Sequence, residues 1–188
     1  EAVPAPVAAA AKRSVLAEFY ADKSRYGPGE PVRLTLQLDN KSGERLEDGR
    51  LLVQYRHLGR LVESKTFKKL KLDPEEARTL SWEWEPPQDD FAGYSVEAWM
   101  ENKDGRTIDH RNAAVDVSSD WTRFPRYGYL SRFPKQDGKT TEANVESLSR
   151  YQINALQFYD WQFKHHAPLA GTPEKPEAEW KDIGNRVT

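Results

Sequence analysis

Hydrophobic and polar residues alternate along most of the segment from residue 14 to residue 118. A period of two is typical of a strand that buries one face and exposes the other. The pattern predicts seven short strands, at about 15–20, 32–38, 51–55, 61–67, 80–84, 94–100 and 113–117. Seven short strands without a helical period indicate an antiparallel sandwich of immunoglobulin-like type over residues 14–118.

Turn-forming residues connect these stretches. The segment KDGR at 103–106 predicts a hairpin between the last two strands. The segment GPG at 27–29 supplies the positive or fixed φ angles that turns require. The chain contains no cysteine, so the disulfide of antibody domains is absent, and the prediction concerns the architecture rather than that family.

The pattern changes after Ser118. Residues 118–134 are aromatic and basic and include two prolines, which favours an ordered connector over a regular element. Residues 141–151 carry apolar side chains on one helical face, and they predict a short helix that begins at Thr140 or Thr141 as its cap.

Residues 153–166, INALQFYDWQFKHH, form either a strand that ends in a binding site or an aromatic-rich helix. The compact apolar run at 153–158 has the length of a strand and suits one buried on both faces. The remainder is typical of a long loop. Such a strand needs neighbours that residues 119–188 do not supply, so this region either packs on the sandwich or begins a larger α/β domain. The second interpretation fits better.

The chain is nearly neutral, with 28 basic and 30 acidic side chains and a formal net charge of -2. No global field favours nucleic acid or an anionic membrane, so neither is an expected partner. No stretch approaches the roughly 20 consecutive apolar residues that a membrane span needs. Residues 1–13 are rich in alanine and proline and predict a flexible tail of the kind left at a mature N-terminus, which favours a secreted, extracellular protein.

Several motifs of enzyme and metal sites do not occur in the sequence. HExxH, GxSxG, GxxxxGK[ST] and GxGxxG are all missing. His165 and His166 are adjacent, so their side chains diverge on a strand or helix, whereas a zinc site needs three or four converging ligands. We therefore expect no metal site and no cofactor.

Asp160 is the carboxylate of most interest, because it follows an apolar run and lies between Tyr159 and Trp161. Aromatic side chains at a strand end can form a platform for a sugar ring, and a carboxylate beside them can accept hydrogen bonds from hydroxyl groups. The alternative is that Asp160 caps a helix or satisfies a nearby loop. The pattern alone does not separate the two.

A non-catalytic carbohydrate-binding or adhesion module is the alternative of a different class. Exposed planar aromatic side chains on the sandwich would favour it. Trp82 and Trp84 share the parity of Leu80 and are predicted core residues. Trp99 lies on the opposite face of its strand from Val96, so it is the candidate for such a surface.

Three strings, SDWTRFPRYGYLSRFP, INALQFYDWQFKHHAPLAG and WKDIGNR, resemble glycoside hydrolase family 66. Its members are bacterial endo-dextranases and the related cycloisomaltooligosaccharide glucanotransferases. The family carries an immunoglobulin-like domain before a (β/α)8 barrel. The resemblance therefore implies that residues 119–188 form the connector, the first strand and the following loop of an incomplete barrel, with the end of QFYDW facing a cleft for α-1,6-glucan.

The resemblance also assigns roles. Tyr159, Asp160 and Trp161 become candidate contacts to dextran or isomaltooligosaccharides, with His165 and His166 as weaker candidates. The family's mechanism is retaining, with an aspartate nucleophile and a glutamate acid/base that stand roughly 5–5.5 Å apart. That pair lies on later strands of a barrel of about 250 residues. No residue here matches it, so we expect this chain to be inactive without the remaining portion of the same barrel.

Overall fold

The structure is a computed structural model that describes residues 14–131 and 136–181. The chain divides into two compact units, Glu1–Arg123 and Phe124–Thr188. The predicted tail at 1–13 lies outside the described residues, as does the segment 182–188.

The first unit is an all-β sandwich of two antiparallel sheets. Its described strands are β1 (Leu16–Ala21), β2 (Val32–Asp39), β3 (Leu46–His57), β4 (Arg60–Leu72), β5 (Ala77–Trp84), β6 (Ala92–Glu101) and β7 (Thr107–Val117). One sheet has the order β1-β2-β5 and the other β4-β3-β6-β7. The predicted all-β sandwich is confirmed, because the alternating apolar residues point into the space between the sheets and avoid water.

Aromatic side chains fill the centre of this core. Trp82 and Trp84 are 8% and 3% exposed, as their parity predicts. The ring of Tyr55 on β3 stacks on Trp84 of the other sheet with centroids 4.3 Å apart, and its hydroxyl accepts a 2.8 Å hydrogen bond from Trp82 Nε1. Burial raises the pKa of Tyr55 to about 12 because the phenolate would be poorly solvated there.

Strand β4 is longer than its sequence pattern suggests. The alternation predicts residues 61–67, whereas the strand spans 13 residues. The register between β3 and β4 shifts between Gly49 and Leu51, and Lys69 adopts a φ of 58°. Such bulges break the strict alternation on which the prediction rests, so the pattern does not reach the end of the strand.

The carboxylate of Asp109 on β7 fixes the start of β1. Its Oδ2 accepts hydrogen bonds from the Ser14 hydroxyl at 3.0 Å and from the backbone N–H groups of Val15 and Leu16 at 2.9 and 2.8 Å. Its Oδ1 lies 3.1 Å from Arg111 Nη1. Three donors on one ionised oxygen make this a strong anchor for a strand at the edge of its sheet.

The chain that leaves β7 is held to the β5–β6 connection. Asp90 accepts hydrogen bonds from the hydroxyl of Ser119 at 2.6 Å and from its backbone N–H at 2.8 Å. The Ser119 hydroxyl is the main reason that the pKa of Asp90 is lowered. The guanidinium of Arg123 lies 4.7 Å from the ring centroid of Phe91. These contacts explain why the first unit extends to Arg123.

The second unit contains β8 (Tyr127–Leu130), α1 (Gly138–Arg150) and β9 (Ala155–Phe158). Strands β8 and β9 are parallel neighbours. The expectation that 118–134 holds no regular element is therefore wrong at β8, and the strand predicted to open this region is preceded by another. No helix in the ranges that the structure describes is long and apolar enough to cross a membrane.

The predicted helix is confirmed, but its start is not at Thr140 or Thr141. Asp137 is the N-cap, and its carboxylate accepts a 2.7 Å hydrogen bond from the backbone N–H of Thr140. This bond is the largest cause of the lowered pKa of Asp137. Helix α1 therefore begins at Gly138, three residues before the predicted 141–151.

Candidate functional site

The side chain of Asn154 sets the position of β9 against the residues that lead into β8. Its Oδ1 accepts a 2.9 Å hydrogen bond from the backbone N–H of Arg126, and its Nδ2 donates to the carbonyl of Phe124 at 3.3 Å. The backbone N–H groups of Asn154 and Ala155 both donate to the carbonyl of Arg126, at 3.2 and 3.3 Å. The amide thus acts as a clamp at the start of the parallel pair.

The pairing of β8 with β9 continues in register up to the candidate site. Leu130 lies opposite Phe158, and the backbone N–H of Tyr159 donates to the carbonyl of Leu130 at 2.8 Å. At Gly128, a Cβ atom would lie 2.9 Å from Cδ2 of Leu156, so a larger residue would require the Leu156 side chain to move. The ladder ends at Tyr159, and the loop begins at the next residue.

Strand β9 is not buried on both faces within the described residues. Leu156 and Phe158 are 38% and 53% exposed. In this chain β9 pairs with β8 along one edge, and a strand that pairs at an edge covers neither face. Burial of β9 within a larger domain stays a prediction.

Asp160 lies where the chain turns away from the strand, with a φ of 54°. Aspartate tolerates this left-handed conformation better than most residues. In the part of the chain that the structure describes, its half-buried carboxylate has no hydrogen bond or ion pair. The interpretation in which Asp160 caps a helix or satisfies a loop therefore gains no support, and the oxygens are available to donors from solvent or a ligand. Its contact with sugar stays a prediction.

The two aromatic neighbours of Asp160 differ in environment. Tyr159 is 53% exposed, so its ring is available for stacking. Trp161 is half-buried, and its ring centroid lies 6.4 Å from that of Trp180. The indole Nε1 of Trp180 donates to the carbonyl of Trp161 at 2.9 Å. The sequence pattern does not single out Trp180, because no local signal marks a contact across 19 positions.

His165 and His166 lie in the loop, four and five residues after Trp161. They are the two exposed residues at the tip of a tight turn. The backbone groups of Lys164 and Ala167 exchange two hydrogen bonds of 3.1 Å across that turn. Within the described ranges, no hydrogen bond or ion pair joins either histidine to Asp160. Their assignment as sugar contacts stays a prediction.

Trp99, the candidate for a sugar platform on the sandwich, is half-buried. The imidazole of His110 on β7 covers one face of its indole, with centroids 3.9 Å apart and an interplanar angle of 30°. That face cannot stack on a sugar ring, and the half-buried indole is not the exposed planar platform that would favour a binding module. Among the residues that the structure describes, no cluster of three or more metal-ligating side chains is found.

Residues 21–188 match the sequence model of glycosyl hydrolase family 66. The chain belongs to this family. It is 35% identical over 187 residues to a cycloisomaltooligosaccharide glucanotransferase of Niallia circulans, and the matched region covers 97% of this chain and 18% of that protein. It is 31% identical over 75 residues to a dextranase of Streptococcus salivarius, covering 36% of this chain and 9% of that protein.

Among solved structures, the family 66 chain is similar to a Paenibacillus sp. cycloisomaltooligosaccharide glucanotransferase in complex with cycloisomaltoheptaose. The TM-score is 0.75 and the identity 31%, over 93% of this chain and 24% of that one. The chain thus spans roughly a fifth to a quarter of the length of the family 66 relatives that it matches along nearly all of its own length. The predicted family is confirmed.

Proposed function

We propose that the protein containing this chain is a retaining glycoside hydrolase that acts on α-1,6-glucan, that is dextran or isomaltooligosaccharides, in the manner of an endo-dextranase. The similarity to an enzyme bound to cycloisomaltoheptaose, over 93% of this chain at a TM-score of 0.75, carries the proposal. The named relatives comprise cycloisomaltooligosaccharide glucanotransferases and a dextranase.

In this proposal the sandwich is an immunoglobulin-like domain that supports the catalytic portion, and β8, α1 and β9 belong to the beginning of a (β/α)8 barrel. A parallel strand, a helix and a second parallel strand are the repeating unit of such a barrel. The exposure of Leu156 and Phe158 supports this arrangement. Apolar strand residues that contact water here would be covered by helices outside the barrel and by side chains of the other strands inside it. These belong to the remaining portion of the barrel, which we propose as the partner of this unit.

Tyr159, Asp160 and Trp161 are then sugar contacts, with His165 and His166 reaching the glucan from the turn beyond them. In (β/α)8 barrels, residues at the carboxyl ends of strands line the active site, and Tyr159 directly follows β9. The carboxylate of Asp160, which has no partner within the described residues, suits hydroxyl groups. It is not the nucleophile in this proposal, because the catalytic aspartate and glutamate belong to later strands, and the chain alone is inactive.

A cyclising transglucosidase is the second candidate. The longest sequence matches favour it, since two cycloisomaltooligosaccharide glucanotransferases cover 97% and 98% of this chain and the dextranase covers 36%. Hydrolysis and cyclisation share the glycosyl-enzyme intermediate and differ in the acceptor that resolves it, water or the other end of the same glucan. We also place the protein outside the cell, because a polymer of the size of dextran does not cross a membrane.

The products formed from dextran test this proposal. The intact protein should release linear isomaltooligosaccharides from internal positions, seen by chromatography and mass spectrometry as fragments that carry reducing ends. Cyclic products that lack a reducing end would favour the second candidate, and no change in dextran would refute both. The 188-residue chain is the matched control. Substantial release of reducing ends by this chain would contradict the location of the catalytic pair.

A further inference from the structure

The loop after β9 is closed at its base by one side chain. Trp180 donates its indole N–H to the carbonyl of Trp161 at 2.9 Å, and the two indole rings lie 6.4 Å apart at an angle of 52°. Trp180 is half-buried, whereas the nine residues before it are exposed. A tryptophan N–H that is shielded from water usually has a hydrogen-bond acceptor, and here the acceptor is the backbone of the segment proposed to bind glucan.

Two tight turns shorten the chain between these tryptophans. The first is the turn at Lys164 and Ala167, which is extended by a 3.0 Å bond from the Phe163 N–H to the carbonyl of Pro168. The second joins Thr172 and Lys175 through two backbone bonds of 3.0 and 3.1 Å. The loop is therefore a hydrogen-bonded structure whose two ends meet at Trp161 and Trp180.

The residues beside Asp160 are held on both sides. The backbone N–H of Tyr159 is bonded to Leu130 on β8 at 2.8 Å, and the carbonyl of Trp161 is bonded to Trp180 at 2.9 Å. Asp160 lies between these two fixed peptides in a left-handed conformation. With one anchor released, the peptide that follows Asp160 could rotate and change the direction of its carboxylate.

We propose that Trp180 is a positioning residue for glucan binding, which holds Asp160 and Trp161 in the orientation that receives the sugar. This inference rests on the proposed function, because it assumes that the segment 159–161 contacts α-1,6-glucan. The physical basis is preorganisation: a loop that is already ordered loses less conformational entropy when the ligand binds. Trp180 touches Trp161 rather than the sugar in this arrangement, so its effect on binding is indirect.

Trp180→Phe tests the inference in the intact protein, because it keeps an aromatic ring and removes the N–H donor. We expect the KM for isomaltoheptaose to rise roughly three- to tenfold at an unchanged kcat, the effect of losing about one neutral hydrogen bond in binding. Amide hydrogen exchange in residues 161–177 should become faster. Trp121→Phe, in the sandwich unit, is the matched control and should leave both quantities unchanged.

The outcomes separate this inference from the function on which it rests. If the intact wild type acts on isomaltoheptaose and Trp180→Phe has the same KM, the positioning role is wrong and the proposed function stands. Faster exchange without any rise in KM leads to the same conclusion, since Trp180 would then be structural only. If the intact wild type does not act on isomaltoheptaose, the proposed function fails, and the inference with it.

A second variant tests whether order in the loop itself affects sugar binding when both tryptophans are retained. Gly171 has a φ of 85°, and a Cβ there would lie 2.7 Å from the backbone nitrogen of Glu177. Gly171→Ala should therefore disturb the second turn without touching either tryptophan. The inference predicts that it also weakens isomaltoheptaose binding, whereas unchanged binding would show that order in the loop does not matter for the sugar.

Discussion

Trp82 of one sheet donates its indole N–H to the hydroxyl of Tyr55 in the other, across a distance of 2.8 Å in the buried core. The two residues lie on β5 and β3, which belong to different sheets. The hydrogen bond therefore fixes how the sheets meet, in addition to the area that the aromatic rings bury.

Tyr55→Phe should destabilise the sandwich by about 1–3 kcal/mol, because it leaves the Trp82 N–H buried without an acceptor. Urea unfolding followed by tryptophan fluorescence measures the change in the free energy of unfolding. The control is Ser81→Ala, whose exposed hydroxyl lies 3.2 Å from that of Thr35 and should matter by less than about 0.5 kcal/mol. Equal stabilities for Tyr55→Phe and the wild type would show that the cross-sheet bond contributes nothing.

Asp109→Asn should release the start of β1. The neutral amide oxygen accepts the hydrogen bonds of Ser14, Val15 and Leu16 more weakly than the carboxylate does. Its NH2 group would also face the Arg111 donor that Oδ1 now accepts from, so we expect a loss of about 2–3 kcal/mol. Hydrogen exchange at the amides of Val15 and Leu16 should rise with it. Asp104→Asn, in the β6–β7 turn, is the matched control, and a similar effect of the two substitutions would contradict the special role of Asp109.

The contact of Asp90 with Ser119 should weaken in acid. Hydrogen bonds from the Ser119 hydroxyl and backbone hold the pKa of Asp90 below its usual range. A carboxyl with a depressed folded pKa contributes stability that is present above the unfolded pKa, near 3.9, and is lost as the pH falls through the folded value. Carbon-detected NMR of the Asp90 carboxyl measures this directly, and titration at or above the usual aspartate value would refute the contact.

Asn154→Ala should loosen the parallel pair of the second unit. It removes the acceptor of the Arg126 N–H and the donor to the Phe124 carbonyl, at a local cost of about 1–2 kcal/mol. Hydrogen exchange at Arg126 and Tyr159 should become faster. Asn144→Ala is the control, because Asn144 lies on exposed α1 and bonds to the side chain of Gln136. Protection of Tyr159 equal to that of the wild type would show that the clamp is dispensable.

The sandwich is predictable from the sequence because its strands alternate strictly where they pair without interruption. Strand β2 is the clearest case, since all eight of its residues pair in register with β5. The end of β4 does not follow the pattern because a bulge there leaves the adjacent residues Lys68 and Lys69 both exposed. Strict alternation would place one of the two side chains on the buried face. The hairpin at 103–106 is confirmed, since Gly105 adopts the positive φ, 74°, that glycine favours there.

The second unit is less predictable because its contacts are distant in sequence. Strand β8 has four residues, and Gly128 within it is a poor strand former. The close approach of Gly128 to the Leu156 side chain explains why a glycine lies there, and the sequence alone does not show this contact. The N-cap Asp137 is obscured by the threonines that follow it. The residues of the candidate site are identified from aromatic character and family resemblance, whereas the contact between Trp161 and Trp180 depends on the three-dimensional path of the loop.

Steady-state kinetics on dextran, with the intact protein and its Asp160→Asn variant, test the central claim most directly. The account predicts that the wild type acts on dextran, and that the variant has a raised KM with a kcat close to that of the wild type, because Asp160 binds sugar without forming the glycosyl-enzyme bond. A wild type that leaves dextran unchanged, or a variant that loses kcat by orders of magnitude at an unchanged KM, would contradict it.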